Sequence, residues 1–205
     1  LFDLYCEPEA VYETLQVMNT LQPGLCVLGT RLPGCFNVFE MSVRAVLGQQ
    51  ITVKAASTLA ARLVAVYGTQ VQTGIEGLTH SFPAPAAILA LGENISEHLG
   101  KLGIISARAN TIYQLARVLA DEKNDFGFCG NPEEEMQKLQ AIRGIGSWTA
   151  QYIAMRAMGW PDAFLPTDAG IKKALPDHTP KELQVLSEAW RPWRSYATVN
   201  LWNTL

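Results

Sequence analysis

The 205-residue chain is 48% hydrophobic and 17% charged, with a net charge of −3, a composition typical of a globular rather than a disordered protein. The slightly acidic balance excludes a uniformly basic surface for nucleic acid, and no apolar run is long enough to span a membrane. The cysteines form no C-x-x-C pair, so they predict reduced thiols in a cytoplasmic protein rather than a zinc site or a disulfide framework. They are Cys6, Cys26, Cys35 and Cys129.

Apolar residues recur with helical spacing along most of the chain, and no segment shows the alternation of a half-buried strand. The pattern predicts an all-α fold of roughly ten helices, bounded by N-cap, proline and glycine signals. An irregular stretch is expected at 71–85 and a turn at 127–130. The predicted helices are Glu7–Thr20, Asn37–Leu47, Thr52–Tyr67, Ala86–Leu91, Ile95–Leu102, Ser106–Asp121, Asn131–Ala141, Ser147–Met158, one from Thr167 or Asp168 to Leu175, one opened by Thr179, and a last one ending at Trp202.

A glycine turn, Gly144-Ile145-Gly146, connects two of these helices. The first amides of a helix have no partner inside the helix, and the dipole is positive at that end. The turn is therefore a candidate site for a phosphate group. A plain connection between two helices explains the same pattern equally well.

Three further positions have a structural and a functional interpretation. Asp168 begins a helix after a proline-containing loop, so its carboxylate is either an ordinary N-cap or a catalytic group. Trp148 and Tyr152 share a helix face, which is more often a core pattern than a binding pocket. Gln49 and Gln50 lie between two helices, where they could simply cap the helix ends.

Taken together, three segments resemble the helix-hairpin-helix DNA glycosylase superfamily: Leu139–Ala150, Phe164–Asp168 and Trp193–Ala197. Within it, the sequence is most similar to the bacterial 3-methyladenine DNA glycosylase II family, and the similarity covers essentially the whole chain. The resemblance implies two helical lobes with the active site in the cleft between them. One lobe is expected at roughly 36–130, and a hairpin and catalytic lobe at roughly 131–205 plus the N-terminal helix. Residues 1–205 would then form the glycosylase domain without the β-rich domain that precedes it in the family.

The resemblance makes Asp168 the catalytic residue. An ionised carboxylate beside the anomeric carbon would stabilise the positive charge that develops as the N-glycosidic bond breaks, and it could orient the attacking water. The glycine turn becomes the anchor for a DNA phosphate, which is bound largely by backbone amides, so an acidic chain can still bind DNA. The expected phosphate-binding residues are Gly144, Ile145, Gly146, Ser147 and Thr149.

The aromatic residues Trp148, Tyr152 and Trp202 match the positions that line the base pocket in the family. Their electron-rich rings suit a flipped N-alkylated purine, because alkylation makes the base cationic. Strand-cleaving members of the superfamily carry a nucleophilic lysine where this chain has Trp148. The resemblance therefore implies a monofunctional enzyme of base excision repair that hydrolytically removes alkylated purines, of the 3-methyladenine and 7-methylguanine types, from double-stranded DNA.

The family inserts a side chain into the gap that the flipped base leaves, and Gln50 occupies that position, where the resembling enzyme has leucine. Glutamine can fill the gap and hydrogen-bond the orphaned partner base, or Ile51 shares the task. Family members often hold a monovalent cation at hairpin carbonyls, which match Gln140, Ile142 and Ile145. No cofactor is otherwise required, and the absence of cysteines beyond Cys129 excludes the iron–sulfur cluster of the endonuclease III branch.

Two alternatives stay open. A glycosylase for a mismatched adenine, uracil or oxidised guanine would favour hydrogen-bonding side chains in the pocket. A non-catalytic helix-hairpin-helix DNA-binding module would need neither Asp168 nor the aromatic residues. We expect a monomer in the bacterial cytoplasm that associates with the nucleoid through DNA and has no membrane partner.

Overall fold

The computed structural model describes residues 1–120 and 131–205. Within these residues the chain forms eleven α-helices, in agreement with the predicted all-α fold. They are α1 (Pro8–Leu15), α2 (Val38–Gly48), α3 (Val53–Tyr67), α4 (Pro85–Leu89), α5 (Ile95–Gly100), α6 (Ser106–Leu119), α7 (Pro132–Gln140), α8 (Ser147–Ala157), α9 (Ala169–Ala174), α10 (Pro180–Leu186) and α11 (Arg194–Trp202). Short 3₁₀ helices cover Gln16–Thr20, Gly92–Asn94 and Ser187–Trp190.

Two predictions about local structure were wrong. The helix predicted over Glu7–Thr20 ends as an α-helix at Leu15 and continues as a 3₁₀ helix, because apolar spacing over one turn does not distinguish the two. A two-stranded antiparallel pair joins Thr69–Gln70 (β1) to His80–Ser81 (β2), although no strand was predicted. Strands of two residues are too short to show alternation. The predicted turn at 127–130 lies outside the described residues.

The chain divides into two compact units. The terminal unit contains residues 1–36, 131–136 and 150–205, and the central unit contains residues 37–120 and 137–149. The glycine turn therefore groups with the central unit, whereas the sequence-based division placed all of 131–205 in the hairpin and catalytic lobe.

In the central unit, α6 packs against α2, α4 and α5, and α2 also packs against α3. The predicted caps form: the side chain of Asn37 accepts the amide of Glu40, and that of Thr52 accepts the amide of Ala55. These caps satisfy amides that would otherwise lack partners at the first turns of α2 and α3. No described helix is long and apolar enough to cross a membrane.

In the terminal unit, the two ends of the chain are hydrogen-bonded to each other. The hydroxyl of Tyr196 in α11 donates to Oδ2 of Asp3 at 2.8 Å. One turn further, Oδ1 of Asn200 accepts the amide of Val27 at 3.0 Å and the hydroxyl of Thr30 at 2.9 Å. Asn200 is buried, so these bonds fix the N-terminal segment on the helix that carries Trp202.

Candidate active site

Asp168 is the N-cap of α9, as the structural interpretation of its position predicts. Its Oδ1 accepts the amides of Gly170 at 2.8 Å and Ile171 at 3.1 Å. The same oxygen also accepts the indole N–H of Trp202 in α11 at 2.8 Å. Two amides and an indole therefore fix the orientation of a half-buried carboxylate, which is more than capping alone requires.

Gly170 makes the contact between Asp168 and Trp202 possible. A Cβ at this position would lie 2.8 Å from Cδ1 of Trp202 and 3.0 Å from Oδ1 of Asp168. Any larger residue would therefore displace the indole or the carboxylate. Gly170 was not among the predicted site residues, and its one signal in the sequence is its position two residues after a candidate catalytic aspartate.

The rings of Tyr152 and Trp202 lie with their centroids 6.3 Å apart, inclined at 48°. Both side chains are half-buried, as is Trp148 in α8, whereas the core residue Trp190 is only 2% exposed. All three predicted pocket aromatics thus keep accessible surface, which a core residue would lose. The terminal unit brings Asp168, Tyr152 and Trp202 together.

A buried network supports the loop that leads to Asp168. Arg194 donates from Nε to Oδ1 of Asp162 at 2.7 Å and from Nη2 to Oδ2 at 2.8 Å. Both residues are buried. The hydroxyl of Ser195 accepts the amide of Ala163 at 3.0 Å and lies 2.7 Å from the carbonyl of Trp160. The Trp193–Ala197 segment, found through resemblance alone, thus positions the loop before Asp168.

The hairpin turn, residues 141–146 between α7 and α8, lies in the central unit. Gly144 has a φ of 96°, which is unfavourable for a residue with a Cβ. The amide of Ile145 donates to the carbonyl of Ile142 at 3.0 Å and is therefore used inside the turn. The amides of Gly144 and Gly146 have no acceptor among the described residues, and both glycines are exposed, as is Ser147.

Thr149 does not fit the predicted role of a phosphate ligand. Thr149 is only 2% exposed, and its hydroxyl accepts a hydrogen bond from Nε2 of Gln49 at 2.9 Å. The first turn of α8 is covered on the side of Thr149, so the hydroxyl of Thr149 is not at the surface. The hydroxyl of Ser147, an exposed residue, remains accessible. Sequence alone suggested a polar ligand because it does not show which face of α8 is covered.

The loop between α2 and α3 presents Gln50 to solvent. Gln50 is exposed and has a φ of 56°, while Ile51 is half-buried. Exposure favours Gln50 over Ile51 as the residue that could enter a duplex. The side chain of Gln49, unlike that of Gln50, is hydrogen-bonded to the hairpin turn.

The hairpin carbonyls predicted to hold a monovalent cation fit that role chemically. No N–H in the described part of the chain donates to the carbonyls of Gln140 and Ile145, and that of Ile142 accepts one amide and keeps a second lone pair. Oxygen donors of this kind suit hard cations. Among the described residues, no group of three His, Cys, Asp or Glu side chains could hold a metal ion.

Residues 43–194 match the HhH-GPD superfamily of base excision DNA repair proteins, and the chain belongs to this superfamily. The chain is 38% identical over 204 residues to DNA-3-methyladenine glycosylase 2 of Escherichia coli K12, in a match that covers all of this chain and 69% of that protein.

A Mycobacterium tuberculosis protein, a probable bifunctional transcriptional activator/DNA repair enzyme AlkA, is 40% identical over 211 residues, and the match covers all of this chain but 41% of that protein. The solved structure of a 3-methyladenine DNA glycosylase from Archaeoglobus fulgidus superposes with a TM-score of 0.78 at 24% identity, covering 96% of this chain and 68% of that one. This likeness confirms the helix-hairpin-helix glycosylase fold.

Proposed function

We propose that this chain is a DNA glycosylase that hydrolyses the N-glycosidic bond of alkylated purines, of the 3-methyladenine and 7-methylguanine types, in double-stranded DNA. The observation that carries this proposal is the three-bond support of Asp168 beside the rings of Tyr152 and Trp202. Membership in a base excision repair superfamily and the identity to an alkylation-repair glycosylase support it.

Asp168 is the catalytic residue in this proposal. Breaking the bond between sugar and base leaves positive charge on the sugar, and a carboxylate held at the anomeric carbon stabilises that charge. The bonds from Gly170, Ile171 and Trp202 restrict the carboxylate before substrate arrives. Such preorganisation lowers the reorganisation that the transition state requires.

Tyr152 and Trp202, which lie together in the terminal unit, line the base pocket in this proposal, and Trp148 is the third aromatic residue that matches a pocket position in the family. An N-alkylated purine carries a positive charge, and its attraction to aromatic faces adds to ordinary stacking. A normal purine is neutral and lacks this attraction. Aromatic walls therefore select for charge rather than for one pattern of hydrogen bonds, which favours several alkylated bases over a single oxidised or mismatched one.

The hairpin turn anchors the DNA in this proposal. The amides of Gly144 and Gly146, which have no acceptor within residues 1–120 and 131–205, and the exposed Ser147 lie at the N-terminus of α8, where an anion is favoured. Amides and a hydroxyl bind a phosphate without cationic side chains, which is consistent with the net charge of −3. A monovalent cation at the carbonyls of Gln140, Ile142 and Ile145 would order the turn.

We further infer that the reaction stops at base removal. The residue that matches the lysine of strand-cleaving members is Trp148, which has no amine to form a Schiff base. Residues 144–158 contain no lysine at all. The product is then an intact strand with an abasic site, formed by a monomer in the bacterial cytoplasm without an iron–sulfur cluster or other catalytic cofactor.

The test is release of 3-methyladenine and 7-methylguanine from methylated duplex DNA by the wild-type chain and by Asp168→Asn. The wild type should release both bases in the presence of EDTA, and Asp168→Asn should release neither while it still binds the duplex. Strand integrity is scored before and after hot alkali, and breaks should appear only after alkali. Base release by Asp168→Asn at the wild-type rate would overturn the catalytic assignment, and breaks without alkali would overturn the monofunctional one.

A further inference from the structure

The loop that carries Gln50 is held in an unfavourable conformation. Gln50 follows the C-terminus of α2 and has a φ of 56°, in the left-handed region that residues with a Cβ rarely adopt. Its side chain is exposed, so it gains no burial in exchange. Contacts elsewhere in the loop must therefore hold Gln50 in place.

The side chain of Gln49 supplies two of these contacts. Its Nε2 donates to the carbonyl of Gly144 at 2.9 Å and to the hydroxyl of Thr149 at 2.9 Å. A primary amide has two N–H groups, so both are used. One bond reaches the hairpin turn and the other reaches the first turn of α8, about a hundred residues away in sequence.

Helix α6 contacts the same loop and the same turn. Arg108 donates from Nη2 to the main-chain carbonyl of Gln49. One turn along the helix, the hydroxyl of Thr111 lies 3.0 Å from the carbonyl of Arg143. A Cβ at Gly144 would lie 2.0 Å from that hydroxyl, so the turn rests directly on α6. All of these residues belong to the central unit.

We propose that Gln49 is a positioning residue that fixes Gln50 at a set place relative to the hairpin turn, so that Gln50 enters the duplex where the anchored phosphate requires it. This inference rests on the proposed function. The hairpin sets the position of the strand, and the inserted side chain must meet the gap left by one extruded nucleotide. Misplacing a reacting or inserting group by about 1 Å can lower a rate by about 10²-fold.

Gln49 acts through Gln50 and not by its own contact with DNA. Both hydrogens of its side-chain amide are directed to the protein, and its main-chain carbonyl accepts a hydrogen bond from Arg108. Loss of the Gln49 side chain should therefore impair only what Gln50 does. Once Gln50 has been removed, Gln49 should have nothing left to position.

A double-mutant cycle on Gln49→Ala and Gln50→Ala tests this dependence. The probe is a duplex with a tetrahydrofuran abasic analogue opposite 2-aminopurine, whose fluorescence reports insertion beside the orphaned base. Single-turnover release of 7-methylguanine is measured in parallel. Gln72→Ala, an exposed glutamine of the central unit, is the matched control.

Gln49→Ala should remove most of the fluorescence change and slow base release about tenfold, since two hydrogen bonds are lost. The double variant should be no slower than Gln50→Ala, and the affinity for undamaged duplex should stay at the wild-type value. Gln49→Glu keeps the size but not the donors and should behave like Gln49→Ala, which covers the case that the alanine variant folds poorly. Gln72→Ala should match the wild type.

Additive losses in the double variant would overturn the proposal, as would normal insertion by both Gln49 variants. A parallel fall in affinity for undamaged duplex would also overturn it, because Gln49 would then act on the hairpin itself. Insertion at the tetrahydrofuran duplex does not depend on base release. If the wild type inserts into this duplex but releases no base, and the Gln49 variants do not insert, the proposed function is contradicted while this inference stands.

Discussion

The indole N–H of Trp202 donates to Oδ1 of Asp168 at 2.8 Å. The sequence-based interpretation placed Trp202 in the wall of the base pocket, and its ring does lie near Tyr152. The hydrogen bond adds a second role, because the same side chain fixes the carboxylate. A residue that contacts both base and catalytic group would couple recognition to chemistry.

Trp202→Phe separates these two roles, because phenylalanine keeps a ring but has no donor. Hydrogen bonds to charged groups contribute about 1.5–3 kcal/mol, so kcat for base release should fall about tenfold or more while KM changes little. Steady-state kinetics on methylated duplex measures both. Trp160→Phe is the control and should keep its kcat. A wild-type kcat in Trp202→Phe would mean that the bond to Asp168 has no catalytic consequence.

Gly170→Ala should inactivate the enzyme without unfolding it. The added Cβ would lie 2.8 Å from Trp202 and 3.0 Å from Asp168, so one of the two must move. Alanine is more favourable than glycine inside a helix by up to about 1 kcal/mol, so the change in helix propensity should not lower the stability of the protein. Base release and thermal unfolding are compared with Gly100→Ala, where a Cβ meets nothing within 4 Å. Equal activity in the two variants would contradict the close packing at Gly170.

Gly144→Ala should lower the affinity for duplex DNA, an effect that a matched loss of folding stability at another glycine should not produce. A Cβ there would lie 2.0 Å from Oγ1 of Thr111, and the backbone has a φ of 96°. Gly77→Ala is the matched control, since Gly77 has a φ of 81° and open space around its Cβ. Both variants should lose about 1 kcal/mol from the left-handed backbone. Only Gly144→Ala should also lose affinity in a duplex-binding titration, and equal affinities would argue against the hairpin as the anchor.

Arg194→Met should destabilise the terminal unit strongly. It leaves Asp162 buried without its two-pronged partner, and both residues are less than 8% exposed. Arg191 still donates from Nη1 to Oδ2 of Asp162, so the loss should be smaller than the roughly 3–5 kcal/mol of a buried charge left without any partner. Urea unfolding measures the loss, with Arg117→Met on the exposed face of α6 as the control. A loss no larger than that of the control would show that the pair is not important to the fold.

Tyr196→Phe should change how stability depends on alkaline pH. Burial, followed by hydrogen bonds to Cys6 and Asp3, raises the pKa of Tyr196 far above its ordinary value of 10.0. Above pH 10 the unfolded phenol loses its proton while the folded one keeps it, so the free energy of unfolding falls as pH rises. Phenylalanine has no proton to lose, so the decline above pH 10 should be shallower in the variant.

The measurement for Tyr196→Phe is urea unfolding at a series of pH values from neutral to above 10. Near neutral pH the variant should be less stable by about 1 kcal/mol, because Asp3 loses a donor. Tyr5→Phe, which removes the hydroxyl of a fully exposed tyrosine, is the control for the substitution itself. Parallel profiles for Tyr196→Phe and wild type would show that this phenol does not set the alkaline limit.

Local signals predicted most of the helices and their beginnings. The caps at Asn37, Thr52 and Thr179 lie within three residues of the amides they satisfy, so the sequence contains the whole interaction. The 3₁₀ turn after α1 and the two-residue strands were missed because neither has a periodicity of its own. Fold class was predictable because it depends on many such local signals at once.

The candidate site was predictable as a set of residue types but not as a set of contacts. Asp168 and Trp202 were both selected, yet the bond between them spans 34 positions and has no sequence pattern. Thr149 was assigned to phosphate because hydroxyls bind phosphate, whereas the structure buries it under the side chain of Gln49. Gly170 matters only because of what its missing Cβ would touch, and that depends on how α11 packs.

The bonds of Asp3 to Tyr196 and of Val27 to Asn200 join positions 193 and 173 residues apart. These bonds can form only after the chain has been synthesised through Asn200. The central unit, by contrast, has all of its described residues once Thr149 has been synthesised. Contacts between residues so far apart in sequence form more slowly than contacts between neighbouring helices. The order of synthesis thus makes the hairpin turn and its contacts with Gln49 available first, and it supplies the indole that supports Asp168 last.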